Sequence, residues 1–369
     1  MARIHNFSAG PAVLPEEVLK QAQADIWDLN GSGIGILECS HRGGAYDAVH
    51  ASAKARIKRL LNVGDDHEVL FLHGGARTQF FMLPANLLRG GRATYLDTGV
   101  WSKGAIEDAQ RYGTVDVPFS SKGQGYDRVP TQAEIGALPE GTKYLHYTAN
   151  NTVAGTEFQY QPDPAMVGGS AWLVCDMSSN FLSRPVDASK FDLIYAGAQK
   201  NAGPAGVTIV VIRRSLLAHC EADLPAMLRY GVHVENDSTY NTPPVFAIYM
   251  VEKIAAWLED MGGLAAIEKR NVEKAGRVYA AIDSSSLFKG KAKEGSRSRM
   301  NITFTAGSEE LDKKFVKEAD AASLSGLKGH RLLGGLRASV YNAQTDGAID
   351  ALVAFMREFE NKNAQRGSH

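Results

Sequence analysis

Residues 171–206 read AWLVCDMSSNFLSRPVDASKFDLIYAGAQKNAGPAG. The apolar run Ala171-Trp-Leu-Val-Cys175 stops on Asp176, as a buried strand does where its carboxyl end meets the ligand crevice of an open α/β sheet. Phe191-Asp-Leu-Ile-Tyr195 repeats the pattern and continues through Ala-Gly-Ala-Gln into Lys200. The turn-formers Asn201-Ala-Gly-Pro-Ala-Gly206 follow, and Val207-Thr-Ile-Val-Val-Ile212 returns as another strand. An acid and a lysine therefore close two strands, and Gly197, Gly203 and Gly206 let the backbone come close to a ligand.

Working outward, strands and helices alternate. Glu68–Leu72, Ala93–Asp97 and Tyr144–Tyr147 read as strands, and 102–112 as a helix. Residues 76–88 read as a helix bent or broken at Pro84. Upstream, Asn6–Pro11 is an irregular arm, and Pro15-Glu-Glu opens a helix that Asn30-Gly31 closes. Val49, Ala53, Ile57, Leu60 and Leu61 mark an amphipathic helix. Gly31-Ser-Gly-Ile-Gly35 has the wrong spacing for a dinucleotide loop and follows a helix, so it is a connector. The alternation predicts an α/β fold, a mostly parallel sheet covered by helices on both faces.

Pro243-Pro244 precede a long helix that ends at Gly262-Gly263. Beyond it the pattern becomes helix, strand, helix, strand, helix, which predicts a smaller C-terminal α+β domain. The expected organisation is an arm over 1–15, a large domain over 16–263, a small domain over 264–365, and a tag remnant at 366–369.

The chain has 369 residues, 44% of them hydrophobic and 22% charged, with a net charge of −1. That size buries a large core, and that balance argues against nucleic acid or an acidic membrane surface as a partner. Cys39, Cys175 and Cys220 are too few and too scattered for a disulfide framework or a zinc site, so no metal is expected. No apolar run reaches the roughly 20 residues of a membrane span, and the start MARIHNFSAGP lacks a signal-like apolar core. The expected location is the cytoplasm.

The acid and the lysine suit pyridoxal phosphate. A lysine amine forms a Schiff base with its aldehyde, and a carboxylate keeps its pyridine nitrogen protonated. The same two residues also fit a core-edge aspartate and a solvated lysine in a tight turn. Three further strand ends bear on the choice. His73-Gly-Gly-Ala-Arg-Thr-Gln79 offers backbone N–H groups at a helix start, where a phosphate binds well. Trp101 is placed to stack on a flat ring, and Asn150-Asn-Thr152 offers donors for a ring hydroxyl. Each has a structural reading of its own; four together at one sheet edge are hard to obtain by chance.

These segments resemble the fold type I pyridoxal-phosphate enzymes of the class V aminotransferases, and within them the phosphoserine aminotransferase family. The resemblance runs through Phe7–Ala12, Ser40–Gly43, His73–Phe80, Trp101, Ser183–Pro185, Tyr195–Asn201, Gly203–Gly206, Tyr240–Pro244, Ser298–Asn301, Lys328–Arg331 and Gly334–Ala343. It implies that Lys200 is the Schiff-base lysine, that Asp176 pairs with the pyridinium, that Trp101 stacks on the ring and that Thr152 meets its phenolic oxygen. It further implies that Ala76, Arg77 and Gln199 hold the cofactor phosphate, joined by Asn241 and Thr242 from the second subunit of a homodimer. Two segments depart from the pattern: Gly-Gly-Ala-Arg-Thr in the phosphate loop, where more glycine is usual, and Thr148-Ala-Asn-Asn-Thr152 at the strand end.

On the substrate side the resemblance implies that Arg337 takes the amino-acid carboxylate, while His41, Arg42, His330 and Arg331 take a substrate phosphate. Guanidinium forks meet such oxygens two at a time. The implied reaction moves an amino group between L-glutamate and 3-phosphohydroxypyruvate in serine biosynthesis; phosphohydroxythreonine, in pyridoxine biosynthesis, is left open as a further substrate. Three rivals are weaker. A desulfurase needs a late cysteine, and none lies beyond Cys220. An alanine–glyoxylate-type aminotransferase has no use for extra cations beside Arg337. A nucleotide-dependent dehydrogenase would carry a glycine fingerprint that is missing.

Overall fold

The computed structural model describes residues 3–167 and 170–364; the expected tag remnant at 366–369 lies outside them. Seven strands form the main sheet: β1 (His67–His73), β2 (Arg92–Asp97), β3 (Thr114–Ser120), β4 (Thr142–Thr148), β5 (Trp172–Asp176), β6 (Leu193–Gly197) and β7 (Val207–Arg213). Their order is β1-β7-β6-β5-β4-β2-β3. Only β7 runs against its neighbours; the β6–β5, β5–β4, β4–β2 and β2–β3 pairings are parallel. The predicted class is therefore observed, and both strands of the 171–206 segment lie in mid-sheet.

One face of the sheet packs Phe71, Leu145, Cys175 and Ile194 into one core with helices α1 (Glu16–Trp27), α2 (Gly44–Leu61) and α5 (Val245–Asp260). The other packs Leu72, Val174 and Tyr195 against α3 (Thr78–Leu87) and α4 (Val100–Ala109). Burial on both faces explains why these strands read as continuous apolar runs rather than as alternating ones.

One expectation needs correction, and one strand was not foreseen. Pro84 does not break its helix, because α3 runs across it from Thr78 to Leu87; its missing N–H costs a single bond of the helix. Strand β3 escaped notice because Thr114-Val-Asp-Val-Pro-Phe-Ser120 is an edge strand, polar and half exposed, with a proline where only an edge tolerates one.

C-terminal to α5, helix α6 (Gly263–Asp283) begins in the first core with Leu264 and Ile267 and ends in a third apolar cluster with Ala275, Val278 and Ile282. That cluster also holds the antiparallel strands β9 (Asn301–Thr305) and β10 (Leu336–Ser339), with the short strand β8 (Lys289–Gly290) paired antiparallel to β9, and helices α7 (Glu309–Ala321) and α8 (Asp346–Ala364). Phe7 of the N-terminal arm inserts into it, beside a short parallel pairing of His5–Asn6 with Leu324–Ser325. The arm thus crosses from the C-terminal core to the edge of the main sheet.

Candidate active site

The carboxyl ends of β4, β5 and β6 open into a cavity of about 370 Å³ whose walls include Ala76, Arg77, Trp101, Thr152, Asp176, Gln199, Lys200, His330 and Arg337. Nine of the side chains singled out in the sequence therefore meet in one place. Asp176 ends β5 and Gly197 ends β6, and parallel pairing sets Asp176 beside Tyr195. The chain then continues through Gln199-Lys200, which brings the lysine into the same cavity as the carboxylate.

Lys200 Nζ donates to Thr152 Oγ1 at 2.7 Å and lies 6.0 Å from the centre of the Trp101 ring. Burial pulls its ammonium down to about 8, against the attraction of Asp176 and with a smaller push from Arg337. Burial conversely raises the Asp176 carboxyl above the usual carboxylate range; Lys200 and the Ser178 amide, which donates to Asp176 Oδ1 at 2.9 Å, oppose that rise. A buried, poorly compensated carboxylate calls for a cation next to it.

At the far wall, β1 runs into Gly74, which adopts a left-handed φ of +87° and donates to Gly206 O. The backbone then swings into α3, so that the amides of Gly75, Ala76 and Arg77 donate to no protein acceptor among the described residues. Three free N–H groups at a helix start form an anion cradle. Trp101 sits in the first turn of α4, which starts at Val100 rather than at Ser102, and Ser102 Oγ accepts from the Thr98 and Gly99 amides. This cap fixes the approach of the indole to Lys200. An anion cradle, a flat ring, a buried carboxylate and a lysine of lowered basicity fit pyridoxal phosphate.

Arg337 projects from β10 into the same cavity. Its Nη1 donates to Thr152 O at 3.3 Å, while its buried Nε has no partner among the described residues. Burial lowers its pKa without threatening its charge. A half-satisfied buried guanidinium is built for an incoming anion.

Five expected residues lie elsewhere in the single chain. Arg331 is exposed and faces a separate groove with Lys328 behind the His330 loop. His41 and Thr242 line another groove together, beside Pro243 and Phe246, and Arg42 and Asn241 are exposed. Sequence reasoning assigned no role to Gly10 or Ser178. Gly10 has φ +133°, and a Cβ there would lie 3.2 Å from Lys200 Cγ; the Ser-Ala-Gly-Pro run was the available signal. Ser178 Oγ accepts from the Gly197 amide at 3.1 Å and so ties the end of β6 to the turn after Asp176. Asn150 is structural, since it donates to Ser179 Oγ and Asn301 Oδ1. Among the described residues no His, Cys, Asp and Glu cluster suits a metal ion, and no helix is long and apolar enough to cross a membrane.

The Aminotransferase class-V family profile matches residues 4–352. A phosphoserine aminotransferase of Nitrosomonas europaea is 48% identical over 369 residues, covering 99% of this chain and 100% of its own. The solved phosphoserine aminotransferase of Bacillus circulans subsp. alkalophilus superposes with a TM-score of 0.94 at 48% identity, covering 98% of this chain and 99% of its own. A pyridoxal-phosphate-bound phosphoserine aminotransferase from Trichomonas vaginalis superposes at 0.90 with 40% identity, covering 96% and 100%.

Proposed function

The chain belongs to the class-V aminotransferase family, and from that footing we propose its reaction and the part each residue takes in it. It is a pyridoxal-phosphate-dependent transaminase that moves an amino group between L-glutamate and 3-phosphohydroxypyruvate, giving phosphoserine and 2-oxoglutarate. The observation that carries the assignment of residues is the meeting of Lys200, Asp176, Trp101 and Arg337 in one cavity beside three unpartnered backbone amides.

When bound, pyridoxal phosphate supplies an aldehyde for imine exchange and a ring that accepts the electron pair left behind as Cα loses its proton. Lys200 is the residue that forms the covalent link and, once free, takes up the Cα proton; a basicity lowered to about 8 gives it a far larger neutral fraction at physiological pH than an ordinary lysine has. Asp176 would pair with the pyridine nitrogen and keep it protonated. The Gly75–Arg77 amides and Gln199 hold the cofactor phosphate, Trp101 stacks, and Thr152 offers the hydroxyl that Lys200 now occupies. Arg337 orients the substrate carboxylate, and His330, in the same cavity, starts the phosphate subsite.

Arg331, Arg42 and His41 complete that subsite in a homodimer, and Asn241 and Thr242 reach the partner's cofactor phosphate. What supports this reading is that His41 and Thr242 share a groove away from their own chain's lysine, next to exposed Leu37 and Tyr240. The apolar cluster around β9 and β10 supports a small domain over 264–365 that carries Arg337. Phosphorylated substrates do not cross membranes unaided, which fits a cytoplasmic enzyme. The test is Lys200→Ala: turnover should vanish, and borohydride should fix no cofactor to the variant while fixing it to the wild type. A wild-type level of fixed cofactor would place the covalent link on another amine.

A further inference from the structure

Lys274 lies on α6, far along the chain from every residue given a role above, and only 1% of it is exposed. Its Nζ donates to Tyr341 O at 2.7 Å, Asn342 O at 3.2 Å and Gln344 O at 3.2 Å. Only an ammonium has three donors to give, so the three carbonyls favour the charged form, against burial, which pulls the group down to about 7. Burying such a group is costly, and packing alone would be served by methionine.

What those carbonyls belong to explains the arrangement. The 341–344 turn leaves β10, which carries Arg337. Its Asn342 amide donates to Asn201 Oδ1 at 3.0 Å, directly beside Lys200. Asn342 Nδ2 donates to Leu182 O, and Asn342 Oδ1 accepts from Asn271, one turn before Lys274. The Tyr341 hydroxyl donates to Ala9 O at 2.8 Å, and Gln344 Nε2 donates to Asn6 O at 3.1 Å. One turn therefore grips the chain on both sides of the reactive amine: the residue after Lys200, and the arm whose Gly10 faces Lys200 so closely that a Cβ there would lie 3.2 Å from its Cγ.

We infer that Lys274 is a positioning residue, whose ammonium gathers three carbonyls of the 341–344 turn and so fixes, through Asn201 and the Ala9–Gly10 arm, where Lys200 stands. The inference rests on Lys200 being the reactive amine. Its local part, the clamp on the turn, holds whatever chemistry Lys200 performs.

Two variants test it, Lys274→Met at the near end of the chain of contacts and Asn201→Ala at the far end. In cofactor-free protein, hydrogen exchange at the Asn342 amide should quicken about tenfold or more in each, because each removes one side of the hydrogen-bonded grip. In holoenzyme, the midpoint of the cofactor's absorbance change with pH should move in the same direction in both, by roughly half a unit or more. The double variant should move it no further than the larger single shift, since both act through one path. Lys274→Arg, which keeps charge and donors, should restore part of the wild-type midpoint. Wild-type exchange and midpoint in Lys274→Met, or additive shifts in the double variant, would overturn the inference. If Lys274→Met does not fold, Asn201→Ala decides alone, and an unchanged midpoint with unchanged exchange overturns it. Altered exchange together with a wild-type level of borohydride-fixed cofactor in Lys200→Ala would instead fault the assignment of Lys200 and leave the clamp standing.

Discussion

Replacing Arg337 with methionine should damage both half-reactions and leave the fold intact. Every α-amino acid that enters the site brings a carboxylate, whereas only one of the two substrates brings a phosphate. Arg337 has one terminal nitrogen engaged with Thr152 O at a long 3.3 Å and its Nε unpartnered among the described residues, so most of its donors are free for a guest. Two charge-assisted hydrogen bonds at about 1.5–3 kcal/mol each amount to roughly 3–6 kcal/mol. At about 1.4 kcal/mol per decade that predicts a loss in kcat/KM of roughly 10²–10⁴-fold. Arg337→Lys, which keeps the charge but not the fork, should lose about one bond's worth, roughly ten- to a hundredfold. The assay is single-turnover absorbance of the bound cofactor, with glutamate and with phosphoserine separately. The thermal midpoint should hold or rise, because the substitution removes a buried charge with no carboxylate to balance it. A loss confined to one amino acid, or a fall in thermal midpoint large enough to account for the lost activity, would refute the assignment of Arg337 to the carboxylate.

Two further outcomes are expected. In cofactor-free protein the folded Lys200 titrates at about 8, below its ordinary 10.5, so the unfolded chain binds more protons between those values and stability from this group rises with pH across that window. The stabilisation that Lys200→Met brings at pH 7 should therefore shrink as pH goes from about 8 to about 10 in denaturant titrations, and a gap that stays constant would show that the lysine is not buried as a cation. Mixing inactive Lys200→Ala chains with inactive Asn241→Ala/Thr242→Ala chains should restore part of the activity, because one hybrid site is whole; no recovery in demonstrated heterodimers would mean that each chain builds its own site.

Much of this was legible from residues alone. Strands buried on both faces keep long apolar runs, so the mid-sheet strands around Asp176 and Lys200 announced themselves, and the polar residue ending each run marked the crevice. The edge strand Thr114–Ser120 did not, since half of it faces water and its composition is that of a loop. The resemblance supplied roles for Arg337 and His330 that spacing could not, because they stand well over a hundred residues from Lys200 and meet it only through the packing of the C-terminal core against the sheet.

The sequence by itself determined the layer architecture, the lysine and its partner acid, because these follow from local hydrophobic pattern and from which residue types the chemistry requires. Tertiary structure alone decided the basicity of Lys200, which comes from its burial between Thr152, Asp176 and Trp101. It alone separated His41 and Thr242 from the cavity that holds His330 and Arg337. It also gave Lys274 a purpose. In the sequence that residue is one more lysine on an amphipathic helix; only the fold brings three carbonyls around it, and a count of donors against acceptors shows that its charged form alone satisfies all three.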